Sequence, residues 1–266
     1  MGMKKVRLDQ LVFERGFTES RERAKTTIMS GLVFVNGQRV DKPGTAVMPD
    51  VALEVRGEAI PFVSRGGFKL DKALKVFPVD PRGKRCIDCG ASTGGFTDVL
   101  LQHGAEKVYA VDVGYGQLAW KLRNDERVVN LERTNLRYVT AEQIPEAMDL
   151  AVMDVSFISV RLVLPAVLRL LKPGAEIICL IKPQFEAGRD EVGKKGVVRD
   201  PAVHREVLRE ILAFAPENGL TVLGLDYSPI KGPEGNIEYI CYMKYGSYEA
   251  LEPDIESVVK ASHETL

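Results

Sequence analysis

Two hydrophobic periods alternate along this chain, and the place where the pattern changes divides it. In residues 7–16, leucines and Phe13 recur at helical spacing and Gly16 stops the run. Thr18 or Ser20 is placed to cap a second helix from Arg21 to Ser30, closed by Gly31. Leu32–Val35 reads as a strand, Asn36-Gly37 is a strong hairpin signal, and Gln38–Val40 returns. Asp50–Val55 supplies a third short strand. Pro61 and the Gly66-Gly67 pair then break regular structure, and a helical pattern resumes from Phe68 to Phe77.

From Arg85 strands and helices alternate. The pattern predicts strands over 85–89, 107–112, 128–131, 149–154, 176–182, 221–228 and 238–244. It predicts helices over 97–103, 117–123, 159–171 and 201–218, with Lys172-Pro173-Gly174 ending the third. Such alternation implies a parallel sheet covered on both faces. Only the loop 229–236 joins the last two strands, so they should pair antiparallel at one edge. The expected class is α/β: a Rossmann-like seven-stranded sheet, of the kind S-adenosylmethionine-dependent methyltransferases use, behind a small α+β domain. The expected boundaries are 1–59 for the small domain, 60–64 for a linker and 65–266 for the sheet domain.

Composition adds little. With 36 Lys and Arg against 37 Asp and Glu, net charge is −1 and gives no hint of a polyanionic partner. No apolar run is long enough to cross a bilayer, and the start, MGMKKVRLDQ, lacks the apolar region of a secretory signal. A cytoplasmic location is the expectation. The chain has four cysteines and three histidines. Cys86 and Cys89 have CxxC spacing but lie within an apparent strand, and no histidine has ligand spacing, so buried thiols are expected and no metal.

Asp88-Cys-Gly-Ala-Ser-Thr-Gly-Gly-Phe96 follows an apolar strand and opens a helix, where glycines let the backbone turn and approach a ligand. Asp112 ends the next strand, where an acid binds the ribose hydroxyls of a nucleoside cofactor. The loop is not the G-x-G-x-x-G of nicotinamide dehydrogenases, since Ala91 follows Gly90. Asp88 beside it suits a cationic ligand rather than a diphosphate. Asp88, Gly90, Ala91, Ser92, Gly94, Gly95, Phe96 and Asp112 are therefore the expected S-adenosylmethionine site, with Asn135 placed to touch adenine.

Asp154-Val155-Ser156-Phe157 ends the fourth strand, at the ligand edge of an open α/β sheet. It is not the Asn/Asp-Pro-Pro-aromatic motif of exocyclic-amine methyltransferases, and no cysteine sits in a cytosine-C5 setting. Lys182 closes the neighbouring strand, Glu238 starts the last one, and Lys69 lies on the helix before the first. Lys, Asp, Lys, Glu in this order resembles the tetrad of FtsJ-type ribose 2'-O-methyltransferases. The stretch from Arg7 to Val40 resembles the alpha-L RNA-binding module first named from a small-subunit ribosomal protein. Together with Ser64–Leu70, Asp88–Thr97, Asp154–Ile158 and Ile181–Glu186, these features resemble the TlyA family of ribosomal RNA 2'-O-methyltransferases, often labelled hemolysins. One departure is visible: some members carry Arg-x-Trp-Val before Ser-Arg-Gly, where this chain has Ile60-Pro61-Phe62-Val63.

The resemblance implies methylation of cytidine ribose in 16S or 23S ribosomal RNA, or both, with Lys69, Asp154, Lys182 and Glu238 catalytic and ribosomal subunits as partners. A ribose hydroxyl is a poor nucleophile, and an ammonium held by a carboxylate stabilises the alkoxide it becomes. Arg7, Arg21, Lys25 and Lys42 of the small domain are expected to contact phosphates, as are Arg65, Arg133, Arg137 and Arg189, with Phe157 stacking on a flipped base. Three other classes compete. A pore-forming hemolysin lacks a spanning segment here. A non-catalytic RNA-binding factor has no need of an intact tetrad. A pseudouridine synthase has no use for a nucleoside-cofactor loop.

Overall fold

Apolar strands separated by amphipathic helices give, beyond Gly66, one sheet whose central strands are buried on both faces. The structure, a computed structural model, describes residues 4–56 and 60–266. The chain divides into two compact units, Met1–Arg65 and Gly66–Leu266, so residues 60–64 fall in the first. There the carbonyl of Val63 accepts from the Thr26 hydroxyl at 3.2 Å.

The first unit runs β1 (Val6–Arg7), α1 (Leu8–Glu14), α2 (Arg21–Met29), β2 (Val33–Val35), β3 (Gln38–Arg39), β4 (Ala46–Val47) and β5 (Leu53–Val55). Ser20 caps α2, its side chain accepting from the Arg23 amide. β2 pairs antiparallel with β3 and β5. Asn36 and Gly37 take the positive φ values, 50° and 78°, that a two-residue hairpin requires. The short β1–β4 pairing was not anticipated. Leu8, Leu11, Val12, Ala24, Ile28 and Val33 form a core of this unit's own.

The second unit runs α3 (Gly67–Val76), β6 (Arg85–Cys89), α4 (Gly95–Gln102), β7 (Lys107–Val111), α5 (Trp120–Arg123), β8 (Val128–Leu131), β9 (Met148–Met153), α6 (Val160–Leu168), β10 (Leu171–Ile181), α7 (Pro183–Glu186), α8 (Pro201–Glu217), β11 (Leu220–Tyr227), β12 (Tyr239–Tyr245) and α9 (Ile255–Thr265). The sheet order is β11-β12-β10-β9-β6-β7-β8. β12 alone runs antiparallel to its neighbours, paired with β11 through a hairpin as the missing helix implied. The order reverses between β6 and β9, so the loops after these strands flank the crevice where open α/β sheets hold ligands.

Three details differ from the pattern. Helix α6 ends at Leu168. Lys172-Pro173-Gly174 opens β10 with an irregularity, Gly174 at φ 82° and the register against β9 shifting between Leu171 and Glu176. The helix expected over 117–123 is reduced to 120–123, because the Gln117 amide donates to Glu132 instead. Helix α9 was not anticipated; its sequence is mostly polar and it buries only Val259 and Ser262.

Candidate active site

Asp154 stands one residue past β9, Lys182 one past β10 and Glu238 one before β12, and these three strands are adjacent. Because β12 is reversed, its start lies at the same edge of the sheet as the ends of the other two. Each side chain is therefore free of the ladder yet fixed by it. Lys69 joins from the first turn of α3. Lys182 Nζ lies 2.5 Å from Asp154 Oδ1, Lys69 Nζ 3.2 Å from Asp154 Oδ2, and Lys69 Nζ 2.6 Å from Glu238 Oε2. The four form one chain, Lys182–Asp154–Lys69–Glu238, in which cations and anions alternate.

Lys69, Lys182 and Glu238 are buried. An isolated charge there would be costly, and the alternation gives each one an opposite partner. Burial pulls the Lys69 ammonium down, but Asp154 and Glu238 more than offset this and hold it above the ordinary lysine range. Burial pushes the Asp154 carboxyl up, and Lys69 and Lys182 override it, keeping it below the usual range. Lys182 also donates to Ser156 Oγ at 2.8 Å. With two of its three protons engaged, the third is available to a ligand.

The segments around Lys182 are tied together by a residue the sequence reading missed. Glu186, buried, accepts the Ser159 hydroxyl at 2.6 Å and the Val160 amide at 2.7 Å, so α7 caps the start of α6. Phe157, between these anchors, has φ 63° and is 91% exposed, with its ring 5.1 Å from that of Phe185. A bulky residue held left-handed and in water is strained and solvated at once.

The glycine loop meets the same crevice. Gly90 has φ 85°, and a Cβ there would lie 2.8 Å from the Asp154 carbonyl oxygen, so only glycine lets this loop pass the end of β9. Gly94 is left-handed, and Gly95 begins α4. Ala91 and Phe96 are buried, and Ser92, at φ 49°, is exposed. Asp112 accepts the Ser92 amide of the loop through Oδ2 at 2.8 Å and the Gly114 amide of its own turn through Oδ1 at 2.7 Å, which fixes the carboxylate beside the loop. Asn135 is exposed, but its side-chain oxygen already accepts the Arg137 amide, leaving its NH₂ for a ligand.

Asp88 is wholly buried beneath the loop rather than at its rim. One oxygen accepts the Thr97 amide at 2.9 Å and hydroxyl at 2.7 Å, capping α4, while the other has no partner. Burial, helped by the charges of Asp154 and Asp112, pushes its carboxyl up to about 7 against the bonds from Thr97. A carboxyl raised on folding binds its proton more tightly in the native state, so stability falls as pH rises from about 4 towards 7. Asp88→Asn should therefore melt above the wild type at pH 8 and near it at pH 5. Melting curves that stay parallel across that range would contradict the assignment.

The four cysteines are buried and free, and the described residues contain no cluster suited to a metal. No helix among them is long and apolar enough to cross a membrane.

With this geometry established, the FtsJ-like methyltransferase family matches residues 62–245. The chain belongs to that family. The S4 domain matches residues 6–51 of the first unit. YqxC of Bacillus subtilis, named for rRNA methylation, is 52% identical over all of this chain and 97% of its own. The 16S/23S rRNA (cytidine-2'-O)-methyltransferase TlyA of Mycobacterium tuberculosis is 46% identical over 93% of each chain. A solved Streptococcus thermophilus protein named as a hemolysin has 45% identity and a TM-score of 0.78, covering 99% of this chain and 98% of that one.

In this FtsJ-like chain the expected RNA-facing residues are placed unequally. Arg7 and Arg21 both bind the buried Asp9, with Nε 2.9 Å from Oδ1 and 3.1 Å from Oδ2 respectively. Both guanidiniums remain about half exposed, with N–H groups to spare. Burial raises the Asp9 carboxyl, and the two arginines pull it below its ordinary value. Lys42 is exposed, and the following Gly44 runs against the Arg7 guanidinium. Lys25 pairs with Glu22 at 2.6 Å. In the second unit, Arg133 has φ 52° and stacks 4.0 Å from the centre of the exposed Tyr115 ring. Arg137 and Arg189 are exposed; Arg65 is half-buried and ends the first unit.

Proposed function

We propose that this protein transfers a methyl group from S-adenosylmethionine to the ribose 2'-hydroxyl of a cytidine in 16S or 23S ribosomal RNA, or both. The observation that carries the reading is the buried Lys182–Asp154–Lys69–Glu238 chain beside a glycine loop and an acid suited to a nucleoside. The relative named TlyA, similar over 93% of both chains, supports the substrate class. A cytoplasmic location belongs to the same reading.

S-adenosylmethionine supplies an electrophilic methyl on a sulfonium. Gly90, Ala91, Ser92, Gly94, Gly95 and Phe96 form the loop that would hold it, Asp112 its ribose and Asn135 its adenine edge, with Asp88 supporting the loop from beneath through its cap on α4. Lys182 directs its remaining N–H at the 2'-oxygen and stabilises the charge that develops there, while the hydroxyl proton would pass to water and S-adenosylhomocysteine would leave. Asp154 holds Lys182 in place, and Lys69 with Glu238 holds Asp154. Phe157 offers a stacking face for an extruded base, and Arg133, Arg137 and Arg189 grip the strand. In the first unit Arg7, Arg21, Lys25 and Lys42 contact phosphates, the first two preset by Asp9. Arg65 adds a further phosphate contact.

Two measurements test this reading. Methyl transfer from labelled S-adenosylmethionine to purified ribosomal subunits should be detected, and a labelled protein-free product should contain RNA. Asp112→Ala should weaken S-adenosylhomocysteine binding by on the order of a hundredfold, the loss of two charge-assisted hydrogen bonds of roughly 1.5 kcal/mol each. An unchanged calorimetric titration would remove Asp112 from the cofactor site.

A further inference from the structure

A short cationic turn beside Glu238 has no part in the chemistry above. Gly193 N donates to the Val197 carbonyl at 3.2 Å and Gly196 N to the Gly193 carbonyl at 2.7 Å, closing a tight turn. Its tip carries Lys194 and Lys195, both exposed, and Arg199 is exposed just beyond. Among the described residues none of the three has an ion-pair partner. A Gly-Lys-Lys-Gly segment in water has no reason to hold one shape, and fixing it costs backbone entropy.

This turn is nevertheless held from inside. The buried Asn236 donates through Nδ2 to the Gly196 carbonyl at 2.8 Å and accepts the Val198 amide through Oδ1 at 3.0 Å. The Val198 carbonyl lies 3.1 Å from Nε2 of the buried His204. Asn236 is two residues before Glu238, about 7 Å along extended chain. Its carbonyl accepts the Gly232 amide at 2.9 Å, and a Cβ on Gly232 would lie 2.7 Å from Glu238 Oε1. The loop that seats the Glu238 carboxylate is thus bolted to the cationic turn through one amide side chain.

We propose that Lys194, Lys195 and Arg199 grip the phosphate backbone of the RNA, and that Asn236 is a positioning residue that holds both this turn and the loop seating Glu238 against Lys69. The inference rests on the RNA-methylation reading above. Two lysines on a preset turn and an arginine just beyond it, without ion-pair partners among the described residues, match a strand of phosphates, whose contacts supply affinity without reading sequence.

The test is single-turnover methyl transfer to ribosomal subunits by the full chain, with subunit and salt concentrations varied. The Lys194→Ala/Lys195→Ala double variant should raise the half-saturating subunit concentration roughly tenfold. It should also flatten the logarithmic salt dependence by about one to two units. Gly232→Ala should lower the rate at saturating subunits roughly tenfold with wild-type half-saturation, because it crowds Glu238 and leaves the turn alone. Asn236→Ala should move both quantities, a combination that neither of the other variants gives. Wild-type half-saturation and salt slope in the lysine variant would overturn the grip. A wild-type saturating rate in Asn236→Ala, or in Gly232→Ala if the asparagine variant fails to bind S-adenosylhomocysteine, would overturn the positioning role. If the wild type itself transfers no methyl to subunits, the RNA reading falls, and the inference with it.

Discussion

Lys182→Ala should lower methyl transfer by a factor on the order of a hundred to a thousand, the usual effect of losing one preorganised donor to a developing oxyanion. The ammonium contributes where charge appears, so the loss should fall on the chemical step. Affinity for S-adenosylhomocysteine and for subunits should stay close to wild type, and each serves as a check that the variant is folded. The alternating pairs make that check necessary. Removing Lys182 leaves Asp154 with Lys69 alone, inside a site where an uncompensated charge is expensive. Lys182→Arg should recover little, because a planar guanidinium cannot satisfy Asp154 Oδ1, Ser156 Oγ and a ligand from one compact point. A single-turnover rate within threefold of wild type at matched binding would remove Lys182 from the mechanism.

Removing residues 1–59 should abolish methylation of ribosomal subunits while S-adenosylhomocysteine still binds. The second unit has its own core, built on the seven-stranded sheet, and the first unit's core of Leu8, Leu11, Val12, Ala24, Ile28 and Val33 is separate from it. The glycine loop proposed to hold the cofactor and the charge chain both lie wholly beyond Gly66. The removed unit carries Arg7 and Arg21, fixed on Asp9 with their outer faces in water. Phosphate contacts of this kind supply much of the affinity for RNA, and they make the intact protein's binding fall steeply with salt. A truncated chain that methylates subunits at the wild-type rate would show that the first unit is not the targeting element.

The sheet was legible because its signal is repeated. Runs such as Ile177–Ile181 are apolar at every position, which only a strand buried on both faces permits. The glycine loop and Asp112 were legible from their places after successive strands. The four residues proposed as catalytic were legible only through their order and its resemblance to a known family. Lys69 and Asp154 lie far apart in the chain, and only the fold brings Nζ to 3.2 Å from Oδ2. What stayed hidden acts through buried polar contacts that leave no period. Asp9 reads as one more polar residue on a helix, yet it is buried and orients two arginines. Glu186 and Asn236 look like loop residues until their amide and hydroxyl partners are seen. Lys172-Pro173-Gly174 misled because the same residues that stop a helix also start an irregular strand.

Nucleotide-resolved mass mapping of ribosomal RNA decides whether the enzyme places a methyl on a cytidine ribose. Subunits from cells lacking the protein would be incubated with purified enzyme and S-adenosylmethionine, digested, and compared with an untreated control. A methyl mass should be gained on a cytidine of the 16S or 23S RNA, or of both, carried by the ribose fragment and blocking cleavage of the adjoining phosphodiester by alkali. A methyl found on the base, or a digest identical to the control, would contradict it.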